Sequence, residues 1–203
     1  MGNGLDLDGK ANVYLGGVTS TGDFPAQRTM RKSTEADAFL CRIRPAEHAN
    51  TCRVFGGRQE EKLTGIALDT KRGVYAVGGT RSADFPTKDP VRAALAGQSN
   101  LFLTRLALPS LEISLSTSFG GNGDDSGCGI ALDNSGNPII AGITDSTDLP
   151  DPSDAYQRTN SKGMPFSPLF EVGIIGRFER PTLEVRTTMK ADMTTPTTVA
   201  CQA

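Results

Sequence analysis

An eighteen-residue pattern recurs three times without a gap, over Asp8–Pro25, Asp69–Pro86 and Asp133–Pro150. The copies begin at steps of 61 and 64 residues, so the chain is a tandem array. Each copy opens on turn chemistry, runs through an alternating β-rich stretch, and closes on an apolar residue followed by proline. A period of about sixty, made of short strands, confines the chain to a stack or ring of equivalent sheets. It says little about chemistry, because one scaffold hosts many functions.

Within one copy, Ile66 and Leu68 share a face and Ala67 takes the other, as in a short strand. Asp69–Gly73 is a turn: the aspartate bonds the backbone ahead of it, and glycine accepts unusual dihedrals. Val74–Gly78 alternates again as a second strand, and Asp133–Asn137 carries a stronger hairpin signal of the same kind. Pro138 then opens the second strand of the third copy, where a missing donor is tolerated. The loops Thr19–Pro25, Thr80–Pro86 and Thr144–Pro150 follow. In them Phe24, Phe85 and Leu149 share one offset and read as apolar anchors, with Pro25, Pro86 and Pro150 fixing the chain behind them. Third strands are expected over Ala38–Ile43 and Leu101–Leu106, and fourth strands ending at Phe55 and Phe119, each before a Gly-Gly pair.

Four consecutive strands per period make an antiparallel meander, and radial repetition of such sheets gives a β-propeller. The expected fold is therefore all-β: about three four-stranded blades over residues 4–64, 65–128 and 129–186, in an array spanning 1–186. Outer strands of the third blade are placed at Leu169–Ile175 and Leu183–Arg186, although no Phe-Gly-Gly ending follows. Residues 187–203 lack alternation and read as a disordered or irregular tail. Three blades fall short of the four to eight of closed propellers. The array is accordingly expected to belong to something longer, to self-associate, or to cover its edges with the tail.

The repeats resemble the SBBP family of bacterial β-propeller repeats. The resemblance rests on Gly120–Gly127, Ile130–Asp133, Asn12-Val13-Tyr14, Asp84-Phe85-Pro86 and Asp37–Leu40, and covers about residues 4–150. It implies a propeller, an extracellular or cell-surface bacterial location, and no general catalytic activity or cofactor.

Composition narrows the partners. The 203 residues carry a net charge of −2, and Arg28, Arg31 and Lys32 are flanked by Asp23, Glu35 and Asp37. That is a solvated loop rather than the basic stripe a nucleic-acid binder shows. No apolar run is long enough to span a membrane, and the first residues lack the basic start and apolar core of a signal peptide.

Among chemistry-bearing residues, Asp124 and Asp125 in the segment Gly120–Asp125 place oxygen ligands close together, as a calcium loop does. The spaced acidic pattern and distal Glu are missing, and Arg58 occupies the matching stretch, so a polar turn is the preferred reading. Asp8, Asp69 and Asp133, like Asp23, Asp84 and Asp148, repeat symmetrically, which suits turn capping better than a catalytic pair. His48 is the sole histidine and no Gly-x-Ser-x-Gly elbow occurs, so no triad is assembled. Cys41 and Cys52 flank one hairpin and can form either a disulfide or two buried thiols; Thr104 and Ser116 take their places in the next copy. No catalytic, cofactor or metal residues are assigned. The expected function is a non-enzymatic module whose loops bind a protein or glycan. The competing reading is part of a polysaccharide-acting enzyme with carboxylates at a channel mouth.

Overall fold

The computed structural model describes residues 1–26, 28–29, 35–90, 97–149, 176–177 and 186–187. The first sheet contains β1 (Gly2–Leu7), β2 (Val13–Thr19), β4 (Asp37–Arg44) and β5 (Ala49–Phe55), each antiparallel to the next. A two-residue strand, β3 (Arg28–Thr29), lies parallel to β5 at the outer edge. The second sheet is β6 (Glu61–Asp69), β7 (Gly73–Thr80), β8 (Asn100–Ala107) and β9 (Glu112–Phe119). The third is β10 (Asp125–Leu132), β11 (Pro138–Thr144), β12 (Gly176–Arg177) and β13 (Arg186–Thr187). The protein is thus all-β, built of antiparallel four-stranded sheets whose strands follow chain order, with β3 added as a short parallel strand at the edge of the first. Pro150, the expected strand Leu169–Ile175 and most of the expected strand Leu183–Arg186 lie outside the described residues, as does the expected tail 187–203 apart from Thr187, which is paired in β13 rather than part of an irregular tail.

The first strand of each sheet starts earlier than the repeat pattern indicated. β6 and β10 begin at Glu61 and Asp125, ahead of the expected blade starts at 65 and 129. A register shift between Leu63 and Gly65, matched between Gly127 and Gly129, breaks the alternation there. The bulge conceals the strand because one extra residue displaces the apolar positions from period two.

The recurring aspartates tie down the hairpin turns. Asp8 Oδ1 accepts the amides of Lys10 and Asn12, at 2.8 and 2.9 Å, and Asp133 Oδ1 accepts those of Ser135 and Asn137 at the same distances. Asp69 caps Lys71 and Arg72 in the same manner. These hydrogen bonds, with that of the Asn12 side chain foremost, hold the Asp8 carboxyl below its ordinary range. Arg72 also reaches across to the Gly136 carbonyl at 2.9 Å, joining the turn of the second sheet to that of the third.

Sheets pack face to face. One face of the first sheet, with Tyr14, Leu40 and Phe55, meets Leu63, Val74, Phe102 and Leu106 of the second. The other face of the second sheet, with Tyr75, Val77, Leu103 and Phe119, packs on Ile140, Ile130 and Leu132 of the third. The loop anchors belong to these layers. Phe85 stacks on Phe102 at 5.0 Å between ring centroids, Phe55 meets Phe102 edge-on at 6.2 Å, and Leu149 joins the second layer. Phe24 contacts Phe39 at 4.6 Å on the far face of the first sheet.

Cys41 and Cys52 are direct cross-strand partners on β4 and β5, with Cα atoms 4.0 Å apart, and are joined by a disulfide. Such closeness marks a non-hydrogen-bonded pair, the antiparallel position at which side chains meet. In the second sheet the same pair is Thr104 and Ser116, whose hydroxyls are 2.9 Å apart and buried. The double replacement Cys41→Thr/Cys52→Ser is therefore expected to fold. It should lose about 2 kcal/mol, because a hydroxyl pair returns part of what closing a short loop contributes. Urea titration under non-reducing conditions measures this; an unchanged midpoint would show that the bridge contributes nothing.

Candidate functional site

The chain passes from one sheet to the next through a short loop, and the same three segments close around both loops. After β5, Gly56–Glu60 leads into Glu61 at the start of β6. The Gly57 amide donates to Glu61 Oε2 at 2.9 Å, and the Thr80 hydroxyl donates to Glu61 Oε1 at 2.8 Å. The Gln59 amide donates to Ser82 Oγ and the Arg58 amide to Asp84 Oδ1, each at 2.9 Å. The Ser82 amide in turn donates to Thr80 Oγ1 at 3.0 Å, holding the receiving loop in shape.

The second junction repeats this arrangement. The Gly121 amide donates to Asp125 Oδ2 at 2.8 Å, Gly123 to Ser146 Oγ at 2.9 Å and Asn122 to Asp148 Oδ1 at 2.6 Å. Ser146 Oγ donates to Asp125 Oδ2 at 2.8 Å, and its amide donates to Thr144 Oγ1 at 3.0 Å. The pattern Gly-Gly-x-x-x-acid is thus gripped by Thr-x-Ser-x-Asp. The second glycine is required by close approach. A Cβ on Gly57 would lie 2.3 Å from that of Ser82, and one on Gly121 would lie 2.4 Å from Asp148 Oδ1.

Glu61 and Asp125 are fully buried in these clamps. Burial, the dominant cause, pushes both carboxyls above their ordinary values, while the hydroxyl and amide donors pull the other way. The two junctions also differ in the residue that stands beside the buried acid. Asp37 stands beside Glu61 and raises its pKa further, both carboxylates facing the space over Gly56. Asn100 takes that place beside Asp125 and Gly120.

This geometry distributes the residues singled out from the sequence. Asp84 and Asp148 cap backbone amides, and Thr80–Asp84 and Thr144–Asp148 are occupied by their neighbouring loops. Asp125 is turned inward, whereas Asp124 accepts the Ser99 hydroxyl at 2.9 Å, so the two do not converge on one point. Among the described residues, no group of three or more His, Cys, Asp or Glu side chains is placed to hold a metal ion. His48 is exposed, with φ 50°, where it ends the short 3-10 turn Pro45–Glu47. Glu61 was missed by sequence reasoning. The usable signal was an acid four residues after the second glycine and eight before the turn aspartate in both copies.

No protein-family model matches the chain, and no curated protein matches it.

Proposed function

We propose that the chain is a non-enzymatic scaffold of β-propeller repeats that presents a binding surface for a protein or glycan, as part of an exported or cell-surface bacterial protein. The observation that carries this reading is the use of the recurring carboxylates. Asp8, Asp69 and Asp133 cap turns, while Asp84, Asp148, Glu61 and Asp125 clamp one sheet to the next. Carboxylates holding backbone amides within the molecule are structural parts. The propeller geometry is supported by the first strands, since β1 lies against β6 and β6 against β10, as strands nearest a common axis do. The Cys41–Cys52 bridge suits an oxidising compartment.

The test is an assay of reducing-end release from a panel of polysaccharides, run beside a glycan and protein binding screen. Saturable binding without turnover is the expected result. Turnover abolished by Asp23→Asn would replace the scaffold with the polysaccharide-acting reading.

A further inference from the structure

Asn122 and Gly123, in the loop gripped by the second junction, form a dipeptide whose own chemistry the clamp restrains. Asparagine before glycine is self-reactive, because no side chain keeps the glycine amide nitrogen from attacking the carboxamide carbon. Here both reacting groups are held. The Gly123 amide donates to Ser146 Oγ at 2.9 Å, and the Asn122 amide donates to Asp148 Oδ1 at 2.6 Å. The Asn122 carboxamide donates from Nδ2 to Thr147 Oγ1 at 3.0 Å and accepts the Thr147 amide at Oδ1, also at 3.0 Å. The fold requires the glycine that makes this asparagine labile. A Cβ on Gly123 would run into the Asp145 carboxylate and lie 2.8 Å from the Ser146 amide nitrogen. Asn122 is exposed and lies outside any strand, so water reaches it once the loop lifts. The first junction has no counterpart, since Arg58 and Gln59 take the matching positions. The other Asn-Gly pair, Asn3-Gly4, is fixed in β1, where Gly4 pairs with Gly16.

We propose that Asn122 is a self-modification site: it converts to isoaspartate when the second clamp opens, and the conversion keeps that clamp from closing again. In the first step the Gly123 nitrogen bonds to Asn122 Cγ and gives up its proton. The Cγ–Nδ2 bond breaks, and the carboxamide nitrogen leaves as ammonia. A five-membered succinimide remains. Water then adds to one of its two carbonyls and splits a carbon–nitrogen bond, leaving aspartate or isoaspartate and one new negative charge. The closed clamp blocks the first step, because Gly123 must leave Ser146, and the carboxamide must leave Thr147, before they meet. Isoaspartate runs the main chain through the side-chain methylene and so lengthens it by one carbon. In the closed clamp four successive amides, from Gly121 to Asp124, meet Asp125, Asp148, Ser146 and Asp145. A backbone lengthened in the middle of that row cannot bring all four to their acceptors. The added charge also stands among Asp145 and Asp148, which belong to the same row of acceptors. Opening is thereby recorded as a permanent change at the seam between the second and third sheets. The inference goes beyond the scaffold reading and does not depend on it.

The experiment incubates the full chain at mildly alkaline pH beside a free peptide copying residues 118–126, and follows both by digestion and mass spectrometry. Asn122 should gain one mass unit, more slowly in the chain than in the peptide. Ser146→Ala should speed the conversion about fivefold, the weight of one lost hydrogen bond. Thr147→Val, a replacement at an exposed position, should speed it in the same direction by freeing the carboxamide. The Cys41→Thr/Cys52→Ser chain, weakened in the first sheet alone, should convert at the unaltered rate. The isoaspartyl chain, separated by ion exchange, should lose hydrogen-exchange protection at Gly121 and Gly123, while Gly57 and Gln59 in the unmodified first clamp keep theirs. Four results would overturn the proposal. They are a chain that converts as fast as the peptide, no acceleration in either clamp variant, equal acceleration in the cysteine variant, or an isoaspartyl chain whose Gly123 amide stays protected.

Discussion

Phe102→Ala is expected to lower the free energy of unfolding by about 3–5 kcal/mol, the largest loss of any single replacement considered. Phe102 is completely buried on β8 and touches two other rings: Phe55 from the first sheet and Phe85 from its own loop. Truncation leaves a cavity bounded by groups that cannot close in. Phe55 is fixed on β5, and the Phe85 amide is held by the Ser82 carbonyl at 3.2 Å. The cost therefore includes both lost transfer energy and an uncollapsed void. Phe24→Ala is the control, because Phe24 is half-buried and meets a single ring, Phe39. It should cost about a third as much on burial alone. A shift of the urea midpoint at constant slope measures both. Equal shifts would show that the aromatic trio does not bind the first two sheets together.

Glu61→Ala is expected to cost about 3 kcal/mol, and through a different mechanism. It removes no large apolar surface, but it strands the Gly57 amide and the Thr80 hydroxyl in a dry site, each a penalty of about 1–3 kcal/mol. Glu61→Gln keeps an acceptor for Gly57 and should lose much less. The two variants also separate by pH. Burial raises the Glu61 carboxyl in the folded protein, so the native state holds a proton that the unfolded chain releases. Its contribution is complete below the ordinary carboxyl value and declines as pH rises through the raised one. Asp125 acts in the same direction at the second junction. Glu61→Gln should flatten this part of the stability profile. Asp37→Asn, which copies the Asn100 of the other junction, should flatten it in part by removing the neighbouring negative charge. A slope unchanged in both variants would mean that neither carboxyl holds the proton.

The strands, turns and loop anchors were legible because each depends on side-chain identity. Val74-Tyr75-Ala76-Val77 alternates, Asp69 and Asp133 cap turns, and Phe85 fills an apolar slot. The clamp was not legible for the opposite reason. Its donors at Arg58 and Gln59, and at Asn122 and Gly123, are backbone amides, so unlike side chains do identical work. The acceptor varies between Glu61 and Asp125, and a run of charged and polar residues there looks like solvated loop. Burial overrides that appearance because the loop amides of Arg58 and Gln59, and of Asn122 and Gly123, find acceptors waiting on the loops after β7 and β11. The Cys41–Cys52 pairing stood between these cases. Register made a bridge geometrically allowed, and only the structure chose between bridge and thiols.

The spacing of the clamp has a consequence for synthesis. Gly57 and Glu61 leave the ribosome well before Thr80, Ser82 and Asp84, the groups that capture them. The seam on the second side of the first sheet cannot close until β7 and its loop have emerged, and the seam on the second sheet must wait for β11 and its loop. Each sheet is thus locked by its successor, in strict N-to-C order. A pause in translation shortly after Glu61 would leave a nascent chain with a finished meander and an unfastened exit.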